Sequence, residues 1–217
     1  MRHPSFLPPS LLACALALAA CQPQGDAAEA PAPAAVAAVE SAATRLNPLA
    51  SASDEVMAAG KRLLAAGSYH ARIVTSDGAQ DFAMEVDYVA PDRYRMVMPL
   101  VTQVIIGDTM HMTMQGRSMQ MQVPPGTTEQ WRDPNRLGQY ADSMQVESLG
   151  SDSVDGKDAR KYLTRYTDQA LKPVTTWIDA DGYPLRIEVD SELQGKPATT
   201  VITYSRFNDP SIRVEAP

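Results

Sequence analysis

From Tyr69 onward, apolar residues recur at every second position in short runs cut by turn residues. Phe82, Met84, Val86 and Tyr88 alternate with Ala83, Glu85 and Asp87, and Tyr94, Met96 and Met98 with Arg93, Arg95 and Val97. Met110, Met112 and Met114 alternate with His111 and Thr113, then Met119, Met121 and Val123 with Gln120 and Gln122. Successive side chains of a strand point to opposite faces, so this period gives each strand one apolar face. The separators Ser76-Asp77-Gly78, Ala90-Pro91-Asp92, Gly107-Asp108 and Gln115-Gly116-Arg117 are turn signals. Short alternating strands joined by tight turns predict an antiparallel meander.

A break at Pro124-Pro125-Gly126 leads into a loop with a short helix over 127–143. Strands are expected again at 145–149, 161–166, 174–178, 185–189 and 199–204, with Asp179-Ala180-Asp181-Gly182 as a turn. That turn is too short for a calcium loop, whose ligands spread over about twelve residues. Ahead of the strands, Ser53 is a candidate N-cap, Asp54 and Glu55 favour the first turn, and Gly67 stops the run. Val56, Ala59, Leu63 and Leu64 make one stripe, as in an amphipathic helix covering a sheet. Together these predict a mainly β protein of about ten or eleven strands in one curved antiparallel sheet, partly closed and plugged by helices.

The chain start carries a different signal. Met1-Arg2-His3 is followed by an apolar run over 11–20 that ends at Cys21. The run is too short to span a bilayer, which takes roughly 20 residues, and its layout is that of an export signal. Leu18-Ala19-Ala20-Cys21 resembles a bacterial lipobox, which implies cleavage before Cys21 and diacylglycerol and acyl groups on its sulfur. The expected division is signal peptide 1–20, lipidated Cys21 with an Ala/Pro-rich tether over 21–50, and a folded domain over 51–217. Gln22 rather than Asp after the cysteine suggests the periplasmic face of the outer membrane. The tether has too few large apolar residues to offset its ordering entropy. Cys14 and Cys21 are the two cysteines, so no disulfide is expected in the exported domain. The net charge of −7 argues against nucleic acid and against electrostatic docking on anionic headgroups. Membrane attachment is then expected from the lipid alone.

Methionine is the outstanding constellation. Of eleven, eight lie between Met84 and Met121, all at alternating positions. Thioether side chains re-pack around varied apolar partners. The face of Phe82, Met84, Val86, Tyr88, Tyr94, Met96, Met98, Met110, Met112, Met114, Met119 and Met121, with Trp177, is the candidate wall of a cavity for an acyl chain such as palmitate. The same residues suit a filled core, and Trp131 and Trp177 suit core anchors. A third reading is a Cu(I) site, since exported thioether pairs select that ion, although His111 falls on the other face. Catalysis finds little: G-x-S-x-G, H-E-x-x-H, C-x-x-C and a phosphate loop are missing, and His70 and His111 both alternate outward. Asp152, Asp155 and Asp158 around Gly156 read as a solvated turn. No cofactor or resident metal is expected.

Ala90-Pro91-Asp92-Arg93-Tyr94-Arg95, Val104-Ile105-Ile106-Gly107-Asp108-Thr109-Met110, Trp177-Ile178-Asp179 through Gly182-Tyr183-Pro184-Leu185-Arg186-Ile187, and Tyr204-Ser205 before Val214-Glu215-Ala216-Pro217 occur in this order. They resemble envelope lipoproteins of the LolA/LolB-like superfamily, which includes lipoprotein carriers and mycobacterial glycolipid-binding lipoproteins. The resemblance covers about residues 54–217. It implies an unclosed β-barrel, a helical lid, a cavity for acyl chains, and a lipid or acylated ligand as partner. The carriers themselves are usually soluble, so a lipidated chain points to a stationary or receptor-like binder. No protruding apolar loop is evident at Gly78. An envelope protein partner, as for a stress sensor with a filled core, is the competing expectation.

Overall fold

The computed structural model describes residues 51–133, 135–168, 170–193 and 195–217. The expected signal peptide, Cys21 and tether lie outside these residues.

Helix α1 (Ala52–Ala65) opens the fold. Its N-cap is Ser51, two residues earlier than Ser53. The Ser51 hydroxyl accepts from the Asp54 N–H at 3.1 Å, and Asp54 Oδ2 accepts from the Ser51 N–H at 3.2 Å, a reciprocal cap. Hydrogen bonds from Ser51 hold the Asp54 carboxyl below the ordinary carboxylate range.

Among the described residues eleven strands follow, β1 (Ser68–Ser76), β2 (Asp81–Val89), β3 (Arg93–Val97), β4 (Val101–Ile106), β5 (Thr109–Met114), β6 (Arg117–Gln122), β7 (Met144–Val154), β8 (Lys157–Tyr166), β9 (Val174–Ile178), β10 (Pro184–Leu193) and β11 (Lys196–Ser205). They form one antiparallel sheet in the order β6-β5-β4-β3-β2-β1-β11-β10-β9-β8-β7. The two ends, β6 and β7, do not pair with each other, so the barrel is open. Each half is a meander of neighbours, and the β1–β11 pairing, with Ala71 opposite Tyr204 and Ile73 opposite Ile202, joins the halves.

The inner face carries the core. Ala71, Val86, Tyr88, Tyr94 and Ile105 are buried together, with Met84, Met96, Met110 and Ile202 packed against them. On the other half, Ala59 and Val56 of α1 press on Tyr162 and Ile178. Glu55 fixes the start of α1 to β8, accepting from Arg160 at 2.5 Å and from the Tyr162 hydroxyl.

Because β6 and β7 are the open edges, the segment between them must cross from one side of the mouth to the other. It does so as a strap over 123–143 containing α2 (Thr127–Trp131), α3 (Asn135–Gly138) and a single 3-10 turn, Ala141–Ser143. The loop with one short helix expected there is thus three short helical pieces. No helix among the described residues is long and apolar enough to cross a membrane.

The β7–β8 hairpin is longer than expected. A bulge between Ser148 and Gly150, with Gly150 at φ 87°, carries β7 on to a tight turn at Asp155-Gly156. Val154 and Ala159 of this hairpin bury Trp177 and Leu185 in a second, smaller core.

Candidate apolar binding site

Cross-strand register gathers most of the expected wall on the concave face. Met84 stands opposite Ile73, Met96 opposite Val86, Met110 opposite Met121, and Met112 opposite Met119. The face divides by depth. Val86, Tyr88 and Tyr94 are buried, and Met84, Met96 and Met110 pack on them as core. Met98 and Met112 are half-buried. Met114, Met119 and Met121 are 45, 51 and 39 % exposed, so the wall toward β6 is open, and Phe82, at the start of β2, is 47 % exposed.

Trp177 belongs elsewhere. Its neighbour Ile178 faces α1, and strand alternation sends Trp177 to the outer face. There it stands opposite Lys161 and Arg186, whose charged heads lie 4.7 and 5.0 Å from the ring, and its Nε1–H donates to Asp152 at 2.8 Å. That bond, first among its causes, holds the Asp152 carboxyl below the ordinary range. Asp152 is therefore an anchor for Trp177, while Asp155 and Gly156 do form the expected turn.

The strap closes over the aromatic part of the wall. Trp131 meets Tyr94 edge-on at 5.2 Å, and Tyr140 meets Tyr166 at 6.0 Å. Arg132 stacks on Tyr88 at 3.9 Å. Its Nη2 donates to the carbonyls of Leu63 and Ala66, each at 3.2 Å, and to that of Leu64. They lie at the negative pole of the helix dipole, where carbonyls run out of intrahelical donors, although that of Leu63 also accepts from the Ala66 N–H at 3.3 Å. Burial raises the phenol pKa of Tyr69, Tyr88, Tyr94, Tyr166 and Tyr204, so these groups stay neutral near pH 7. Nothing in the sequence marked Arg132, a cation between two short helical pieces.

A cavity of about 170 Å³ lies between α1 and the second half of the sheet. Val56 and Leu63 of α1, Met144 of β7, Val174 of β9 and Ile187 of β10 line it, with Tyr140 from the strap. None of the methionines of the expected wall contributes. Thr164 also lines it, and the Thr164 hydroxyl has no hydrogen-bond partner among the described residues. The sequence signal for these residues was present in the alternation of β8 to β10. It was weaker than the methionine pattern because Thr replaces larger apolar groups.

Around His70 the outer face is polar. His70 Nδ1 is 2.8 Å from Asp87 Oδ1 and its Nε2 is 2.9 Å from Glu85 Oε2. Ser205 is the cross-strand neighbour of His70, yet both ring nitrogens turn to carboxylates of β2. The ring is thus not placed as a base for that hydroxyl. Among the described residues no group of three or more His, Cys, Asp or Glu is placed to hold a metal ion.

No family model matches the chain, and no curated protein matches it. Solved structures do. The Mycobacterium tuberculosis lipoprotein LppX superposes with a TM-score of 0.57 at 17 % identity, over 76 % of this chain and 98 % of that one. LprF from Mycobacterium bovis gives 0.54 at 16 % identity, over 76 % and 96 %. The fold is therefore shared with these two mycobacterial lipoproteins, an open antiparallel half-barrel covered by helices, and agrees with the fold that the resemblance implied.

Proposed function

We infer that this chain is a non-enzymatic, lipid-anchored envelope protein that holds an acyl chain or similar apolar group between its sheet and α1. The cavity under α1 carries this reading, because apolar residues from a helix, three strands and the strap converge on empty space. Its size accommodates one short apolar group, since an engineered cavity of about 150 Å³ in another protein takes up benzene. A longer chain has the exposed Met face beyond it as a continuation, where flexible thioethers adapt to a variable shape. The likeness to a named lipoprotein of the same fold supports the envelope setting, and the Cys21 signal supports an outer-membrane anchor.

Titration with a fluorescent fatty acid tests the reading. Saturable binding is expected for the wild type, with strong loss in Val174→Phe, which fills the cavity. Met112→Phe, on the open wall, is expected to weaken binding less. Absence of saturable binding by the wild type overturns the reading in favour of a filled protein-interaction module.

The opposition of Met110 to Met121 and of Met112 to Met119 favours a second reading, a Cu(I) site. Met119 and Met121 are more than a third exposed, so their thioethers do not face a dry interior. A bound ion stabilises by mass action. An upward, saturable melting shift at equimolar Cu(I), lost in Met112→Leu/Met119→Leu, would support it, and no shift would remove it.

A further inference from the structure

The free edge of β6 has a composition that fits its own copy. All six of its residues are exposed, and no described residue pairs with its outer side. The opposite edge, β7, is protected by the Ser148/Gly150 bulge and by Glu147, devices that discourage strand addition. β6 has no bulge, no proline and one charge, Arg117, at its start.

Hydrogen-bond parity sets what the edge offers. The Val123 N–H donates inward to the Asp108 carbonyl at 2.9 Å, extending the β5–β6 ladder by one residue. In an antiparallel pair, inward and outward bonding alternate. Arg117, Met119 and Met121 therefore bond inward to β5, and Ser118, Gln120 and Gln122 turn their backbone groups to the free edge. A two-fold axis at Gln120 places Gln120 opposite Gln120 of the second copy, and Ser118 opposite Gln122. Each of these opposed pairs then exchanges two backbone hydrogen bonds. The same register sets Met119 against the second copy's Met121 on the concave side, as close, non-hydrogen-bonded pairs. Arg117 faces Val123 of the second copy, so no like charges meet.

We propose that two copies associate through antiparallel β6–β6 pairing centred on Gln120, which continues the Met-lined face from one half-barrel into the next. The pairing stands on edge geometry and is independent of whether lipid is bound.

Sedimentation of the full chain carrying Cys14→Ser and Cys21→Ser is expected to show a mass that rises from monomer to dimer with concentration. In that background Gln120→Cys should oxidise to a covalent dimer, because opposed residues of this pair type lie about 5.5 Å apart, within disulfide reach. Ser118→Cys, which faces Gln122, should not. Gln120→Pro removes an edge N–H that the monomer does not use. It should keep the thermal melt and stay monomeric. Should it fail to fold, Gln120→Lys sets like charges on the axis and should do the same. A concentration-independent monomer, cross-linking of Ser118→Cys as readily as Gln120→Cys, or a folded Gln120 variant that still dimerises would overturn the proposal.

Discussion

Arg132 joins three parts of the molecule that are distant in sequence: the strap that carries it, the carbonyl end of α1, and the ring of Tyr88. Hydrogen bonds from a charged donor contribute about 1.5–3 kcal/mol, and a guanidinium over a ring adds about 0.5–2. Arg132→Ala is therefore expected to lower the unfolding free energy by about 2–3 kcal/mol in urea titration. Lys in its place should recover less than half, lacking the planar fork. Thr164 makes the opposite case. A buried hydroxyl without a partner costs about 1–3 kcal/mol. Thr164→Val is expected to raise the melting temperature, and a lowered one would mean that the hydroxyl is satisfied. A residue such as Arg132 is illegible beforehand, because its partners are backbone carbonyls about seventy positions away, and no periodicity encodes them.

Among elements, the alternation of β2 to β6 was readable because Met and Tyr contrast sharply with Arg, Glu and Gln at the intervening positions. The full length of β7 was not, since Gly150-Ser151-Asp152-Ser153 has the composition of a loop and becomes strand only through its pairing with β8. Alternation alone does not choose a face for Trp177, because a strand such as 174–178 is apolar on both. The folding of the β7–β8 hairpin onto the outer face makes that choice. The tight turns that end elements carry a pH dependence. In the C-terminal turn, Asp209 accepts from the Ser211 hydroxyl at 2.6 Å, its N–H at 2.8 Å and Arg206 at 2.8 Å. These bonds, the Ser211 hydroxyl first, pull its carboxyl down to about 2. Asp54, Asp77 and Asp152 shift in the same direction. A depressed folded-state pKa gives stability that is present above the unfolded value, about 3.9, and is lost as pH falls toward the folded one. Thermal melts should therefore be flat from pH 7 to about pH 5 and fall between about pH 4 and pH 2. Asp209→Asn should lessen that fall.

For the whole molecule, an open sheet spanned by a strap has two separable demands, a folded half-barrel and a place to stand. The acidic chain argues against an electrostatic hold on anionic lipid, so the proposed anchoring rests on Cys21. Cys21→Ser is expected to release the protein from membranes into the soluble fraction with its melting temperature unchanged. Sedimentation with membranes after a high-salt wash would show a second anchor.

The proposed function requires that the space beneath α1 hold an apolar ligand. Its most direct test is mass spectrometry of lipid extracted from the full chain purified without detergent exchange, alongside Val174→Phe. An acyl lipid held non-covalently by the wild type at near one per chain, and lost from a folded Val174→Phe, is the predicted result. A wild type that carries none, and takes none up from added lipid, would contradict it.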